Sequence, residues 1–145
     1  MRLVVDANIL YSVILKTEGR VADVFFNTRP VLDLVAPLLL KQELQRHRSR
    51  MAKRTGKTIP EITLTQELLL KRVTFIDDAL IDDNAWATAR KFVKQVDPDD
   101  EDFVALALHL NCPLWTGDNK LSTALKGSGV RCLSSAEIRE MHTRR

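Results

Sequence analysis

Glycine is scarce, with 5 in 145 residues, and no Gly-rich loop able to cradle phosphates occurs. P-loop and dinucleotide-binding readings are thereby excluded. Cysteine is scarcer: Cys112 and Cys132 make neither a disulfide framework nor a zinc site, and each is expected to pack as a small core residue. The three histidines, His47, His109 and His142, lack metal-pair spacing and are expected to be structural or surface residues. There is no serine-nucleophile motif. Apolar runs such as Pro37 to Leu40 and Phe103 to Leu108 fall far short of the roughly 20 residues that span a bilayer. No basic-then-apolar leader opens the chain, so the expectation is a cytoplasmic protein with no membrane contact. Repeats, low-complexity tracts and linkers are also missing.

What remains is one domain over residues 1–145, 45% hydrophobic and 28% charged. A chain of this length can bury enough surface for a core without staples. Lys and Arg (22) exceed Asp and Glu (19), a formal charge of +3 that permits nucleic-acid binding without demanding it. Distribution is more telling. Lys41 to Lys57 carries seven cations against one acid, Glu43, whereas acids concentrate later, at Asp77, Asp78, Asp82, Asp83 and from Asp97 to Asp102.

Leu3-Val4-Val5 is continuously apolar, as suits a central parallel strand covered on both faces. Val31 to Ala36, Val73 to Ile76, Leu114 to Thr116 and Val130 to Leu133 read as four further strands. Between them lie helical patterns: Ile9 to Leu15 and Val21 to Phe26 around Gly19, closed by Arg29-Pro30. One helix is expected to start with Pro37 in its first turn and to carry Leu40, Leu44, His47 and Met51 on one face, ending at Thr55-Gly56-Lys57. Thr58 caps the next, with Pro60 and Glu61 in its first turn. Asp82 or Asp83 caps a helix through Val93, another runs from Glu101 to Leu110, and Gly127 and Gly129 close one more. Ser134 to Glu137 has capping-box spacing. Strands alternating with helices predict an α/β fold, a three-layer α/β/α sandwich on a mostly parallel sheet of about five strands.

In such sheets the ligand crevice lies at the carboxyl ends of the strands. Asp6 follows strand one, and Asp118 follows strand four through Thr116-Gly117. Asp100 begins the helix that leads into strand four, and Glu43 lies in the second turn of the helix after strand two. Each acid alone also fits a cap, a turn or a solvated helix face. Together at one edge they repel one another unless cations neutralise them, and all-oxygen ligands suit Mg²⁺ or Mn²⁺. Metal-assisted hydrolysis of a phosphodiester is the reaction this set predicts. Arg46, Arg48, Arg50, Lys53 and Arg54 are then expected to contact nucleic-acid phosphates, although the same segment also reads as an exposed helix face.

Val4-Val5-Asp6-Ala7-Asn8-Ile9-Leu10, Asp100 to Ala107 and Leu114-Trp115-Thr116-Gly117-Asp118 resemble, in order and spacing, the prokaryotic PIN domain family over nearly the whole chain. The resemblance implies a metal-dependent ribonuclease, with many members toxins of the VapC type restrained by an antitoxin. Carried over, it implies catalytic and metal-binding roles for Asp6, Glu43, Asp100 and Asp118, with Asn8 and Thr116 as supporting polar residues. Asp97 and Asp102 are alternatives for the third acid. It further implies RNA as substrate, an antitoxin partner and a homodimer, to which Ile62, Leu68 and Leu69 are expected to contribute. A PIN-like RNA-binding scaffold without catalysis is the nonenzymatic rival. A haloacid-dehalogenase-like phosphatase needs a second acid where Asn8 stands, and a response-regulator receiver needs a Lys that Leu133-Ser134 does not provide.

Overall fold

Leu3, Val4 and Val5 in strand β1 (Arg2–Val5) are each 0% exposed. Consecutive strand residues point to opposite faces, so helices must cover this strand on both sides. The computed structural model, which describes residues 1–28 and 31–143, shows that arrangement. Five parallel strands are ordered β3-β2-β1-β4-β5, with β2 Asp33–Pro37, β3 Val73–Ile76, β4 Leu114–Trp115 and β5 Cys132–Leu133. The chain moves outward from β1 to one edge, then returns to β1's other side. Its topological switch point therefore lies between β1 and β4, where the loops following them diverge and leave a crevice.

Helices α1 (Ala7–Leu15), α2 (Arg20–Asn27), α3 (Leu38–Arg46), α4 (Arg48–Thr55) and α5 (Ile59–Leu70) form one packed group. In the other, α7 (Glu101–Leu110) lies on β1, β2 and β4 and packs against α6 (Asp83–Val93), which also meets α8 (Asn119–Ala124). Helix α9 (Ser135–Thr143) packs on α2. Trp115 and Phe25, the largest fully buried side chains, meet in the core with ring centroids 6.2 Å apart. Among the described residues, no helix is long and apolar enough to cross a membrane.

Several boundaries differ from those the sequence predicts. Strand β2 begins at Asp33 and runs through Pro37, whose extended backbone (φ −64°, ψ 142°) makes it the N-cap of α3 instead of a first-turn residue. Strands β4 and β5 are short because they pair over two positions only, Leu114 with Cys132 and Trp115 with Leu133. The single helix expected from Pro37 to Thr55 is two helices broken at His47 (φ −96°, ψ 12°). Helix ends leave carbonyls without intrahelical partners. Buried Gln66 on α5 serves this one: its amide donates to the Leu44 carbonyl at 2.7 Å and accepts from Arg48 Nε at 2.6 Å. Gly56, at φ 73°, ends α4 in a left-handed conformation that favours glycine. Thr58 caps α5 as expected, and does so in a capping box with Glu61; Ser134 and Glu137 exchange the same pair of bonds before α9, as their spacing predicts. Arg29 and Pro30 lie outside the described residues.

Of the three α5 side chains expected at an interface, Ile62 and Leu69 are 0% exposed and belong to the core. Helix α5 packs against α1, α3, α4 and β3, and these two side chains lie on its buried side. Leu68 is exposed, as are Ile59 and Leu64. Cys112 and Cys132 are free, half-buried and packed against the core.

Candidate active site

Asp6 is the first residue beyond β1, and its backbone N–H donates to the Trp115 carbonyl at 3.1 Å, tying the ends of the two central strands together. One side-chain oxygen caps α1 by accepting the Asn8 N–H at 3.3 Å. The other accepts the Thr116 hydroxyl at 2.7 Å, and Thr116 Oγ1 in turn accepts the Asp118 N–H at 3.1 Å. Asp118 caps α8, accepting the N–H groups of Lys120 and Leu121. Asp6 and Thr116 are each 2% exposed. Burial pushes the Asp6 carboxyl above its ordinary range, the hydrogen bonds from Thr116 and Asn8 oppose that, and the Asp118 charge adds to it.

An open cavity of about 510 Å³ at this edge is lined by Asp6, Glu43 and Asp100, with Asn8 at its rim. Its walls also hold Asp78, Asp97, Asp99, Glu101 and Asp102, and among the described residues no Lys or Arg lines it. Asp118 is not a lining residue, yet it stands near enough for its charge to raise both Asp6 and Asp100. Asp100 is pushed up to about 7, first by burial and then by the charges of Asp6, Asp97, Asp118 and Asp102. Asp102 is likewise pushed up to about 7, by burial and then by Asp78 and Glu43, against the hydrogen bond it accepts from the Phe103 N–H. Asp97 is committed to its own turn, accepting the Asp99 N–H at 3.0 Å.

Asp78 was not among the acids expected here. It stands in the 3-10 turn Asp78–Leu80 after β3, at the uncapped start of α3. The Leu38 and Leu39 amides are close enough to favour its ionised form but not at hydrogen-bonding geometry. Both its oxygens are buried without a hydrogen-bond partner among the described residues, and burial raises its pKa. Its signal in the sequence is an acid two residues beyond a strand, one position further than Asp6.

Among the described residues, no group of three or more His, Cys, Asp or Glu side chains already stands close enough to hold a metal ion. The donor chemistry nevertheless fits a hard divalent cation. The cavity offers carboxylate oxygens, two with strongly raised pKa values and one with both oxygens unpartnered. Mg²⁺ binds through one or two carboxylates and keeps several waters, so a prebuilt cage is not required.

The basic segment divides. Arg48 is half-buried and donates from Nε to Gln66, so one of its five N–H donors is already engaged inside the helix group. Arg46 and Lys53 are exposed, and Arg50 and Arg54 line a second cavity beside the first. His47, expected to be structural or surface, lies at the helix break and on that cavity's wall, with its ring edge-on to Tyr11. His109 accepts the Asp82 N–H at 3.1 Å, while neither ring nitrogen of His142 has a partner among the described residues.

Residues 4–144 match the PIN domain family. The chain belongs to that family. This PIN domain is similar in fold to a chain of VapBC2 from Rickettsia felis, whose crystal structure is bound to a DNA fragment from their promoter: TM-score 0.71, 16% identity, 92% of this chain and 98% of that one covered. It is also similar to a chain of VapBC-1 from nontypeable Haemophilus influenzae, with TM-score 0.66, 18% identity, and 94% and 99% covered. No curated protein compared with this PIN domain matches it in sequence.

Proposed function

We propose that this PIN domain is a Mg²⁺- or Mn²⁺-dependent endoribonuclease, the toxin of a VapBC-type pair held by an antitoxin in the cytoplasm. The observation that carries the reading is the acidic cavity at the switch point, lined by Asp6, Glu43 and Asp100 with Asp118 in electrostatic range and, among the described residues, no Lys or Arg. Family membership supports nuclease chemistry, and the VapBC neighbours support the partner. Asp6, Glu43, Asp100 and Asp118 hold the ion in this reading, directly or through water, and Asp78 and Asp102 enlarge the negative field. When bound, the ion polarises phosphoryl oxygen and lowers the pKa of water for attack on phosphorus. Thr116 fixes the Asp6 carboxylate and the Asp118 backbone with one hydroxyl group, so the acids on both sides of the switch point keep their spacing.

The test is single-turnover cleavage of mixed single-stranded RNA with Mg²⁺, Mn²⁺ or EDTA. Asp6→Asn and Asp100→Asn are expected to lower the rate by orders of magnitude while RNA binding survives or tightens as negative charge is lost. Unchanged cleavage in both variants overturns the assignment, and RNA binding without wild-type cleavage supports the scaffold instead.

A further inference from the structure

A second cavity, of about 470 Å³, opens between α1 and α4, and Asn8 lines both it and the acidic one. Its volume falls within the roughly 300–1,000 Å³ range of small-ligand sites. Its character is the reverse of its neighbour's. Arg50 and Arg54, four residues apart on α4, present their guanidinium groups on one helix face, and neither is ion-paired among the described residues. On the opposite wall Tyr11 is half-buried, its ring centroid 6.5 Å from that of His47 with the planes at 66°. An edge-on pair covers at most one face of one ring, so each ring keeps at least one face clear of the other. Two cations with an aromatic face are what one nucleotide of a flexible strand requires: phosphate on the guanidinium groups, base on the ring.

We propose that this cavity is the subsite for a nucleotide flanking the scissile phosphate in single-stranded RNA, with Tyr11 stacking on its base and Arg50 and Arg54 holding its phosphate. The assignment rests on the ribonuclease reading for what happens next door, but its own content is binding. Asn8 lines both cavities, so they are neighbours, and in this proposal a strand whose phosphate sits at the acids carries an adjoining nucleotide past Asn8 to Tyr11. The arginines also offset the repulsion that eight acids in the adjoining walls exert on a polyanion.

The experiment uses the full chain carrying Asp6→Asn to stop turnover, with fluorescence anisotropy of a labelled single-stranded RNA across a salt series. Arg50→Ala with Arg54→Ala is expected to weaken binding about tenfold or more and to make the salt slope shallower, by about 0.7 for each phosphate that is no longer neutralised. Tyr11→Leu is expected to cost roughly tenfold, Tyr11→Phe to restore wild-type affinity, and a single abasic position in the RNA to abolish the difference between Leu and Tyr. In the active chain the same variants are expected to raise KM while kcat at saturating RNA changes little. Variants that bind and cleave like the wild type sink the subsite and leave the nuclease reading standing. Loss of RNA binding in a chain that never cleaves does the opposite. If the variants bind RNA normally but no longer bind the antitoxin, the cavity belongs to a protein segment and the proposal is wrong.

Discussion

Thr116 carries more of the site than any acid does, because one hydroxyl group donates to Asp6 and accepts from the Asp118 backbone. Thr116→Val keeps the shape and removes both bonds, leaving a buried carboxylate oxygen unsatisfied. It is expected to cost about 1–3 kcal/mol in urea unfolding, with Thr116→Ser recovering most of it. The same change removes an interaction that lowers the Asp6 pKa, so Asp6 is expected to titrate higher by NMR. Asp100 and Asp102 set a pH dependence of definite sign. Folding raises both from 3.8 to about 7, so the folded chain binds those protons more tightly than the unfolded one. Their contribution to stability is therefore greatest below about pH 4 and is lost as pH rises to about 7. In EDTA, Asp100→Asn is expected to match the wild-type Tm at about pH 3, below the unfolded carboxyl pKa, and to exceed it at pH 8, where the wild-type carboxyl is ionised. Saturating Mg²⁺ is expected to reverse the order at pH 8, since only the wild type retains that ligand. Thermal unfolding at the two pH values checks both statements; identical curves would contradict them.

Gln66 joins three helices, since its amide serves the end of α3 and the start of α4 from α5. Gln66→Leu is expected to destabilise the fold by about 1–3 kcal/mol, because the Leu44 carbonyl loses its donor, and to free Arg48 to move outward. Hydrogen exchange at the α3–α4 break should rise in that variant; unaltered protection would assign the break to another cause. This element shows where legibility ended. Helix α7 and strand β3 appear at their predicted limits because a continuous apolar run and a β-branched strand each depend on local composition. The break at His47 has no glycine or proline to announce it and depends on a residue 22 positions from Leu44. The acids fared similarly. Strand order places Asp6, helix positions and the family resemblance place Glu43 and Asp100, and the three line one cavity. Asp78, Tyr11 and the pairing of Arg50 with Arg54 were not legible as parts of a site, because each depends on which helix faces which loop.

At the scale of the whole molecule, α5 leaves Leu64 and Leu68, one turn apart, 60% and 53% exposed. If this face meets a second copy, Leu64→Lys with Leu68→Lys is expected to remove concentration-dependent association in sedimentation velocity while leaving Tm nearly unchanged, as neither side chain supports the core. Association that persists in the double variant would move the interface elsewhere. The strand order has a kinetic consequence as well. The Thr116–Asp6 hydrogen bond joins residues 110 positions apart, and β1 finds its second neighbour only at Leu114. Closing a loop of that size precedes any reward from the pairing, and folding slows as native neighbours become more distant in sequence. An intermediate that pairs only β1, β2 and β3 already holds Asp6, Glu43 and Asp78 but lacks the crevice between them and Asp118. The acidic cavity is therefore expected to be complete only once β4 has joined β1, and refolding followed by a probe at Trp115 should reach completion together with recovery of that cavity, not ahead of it.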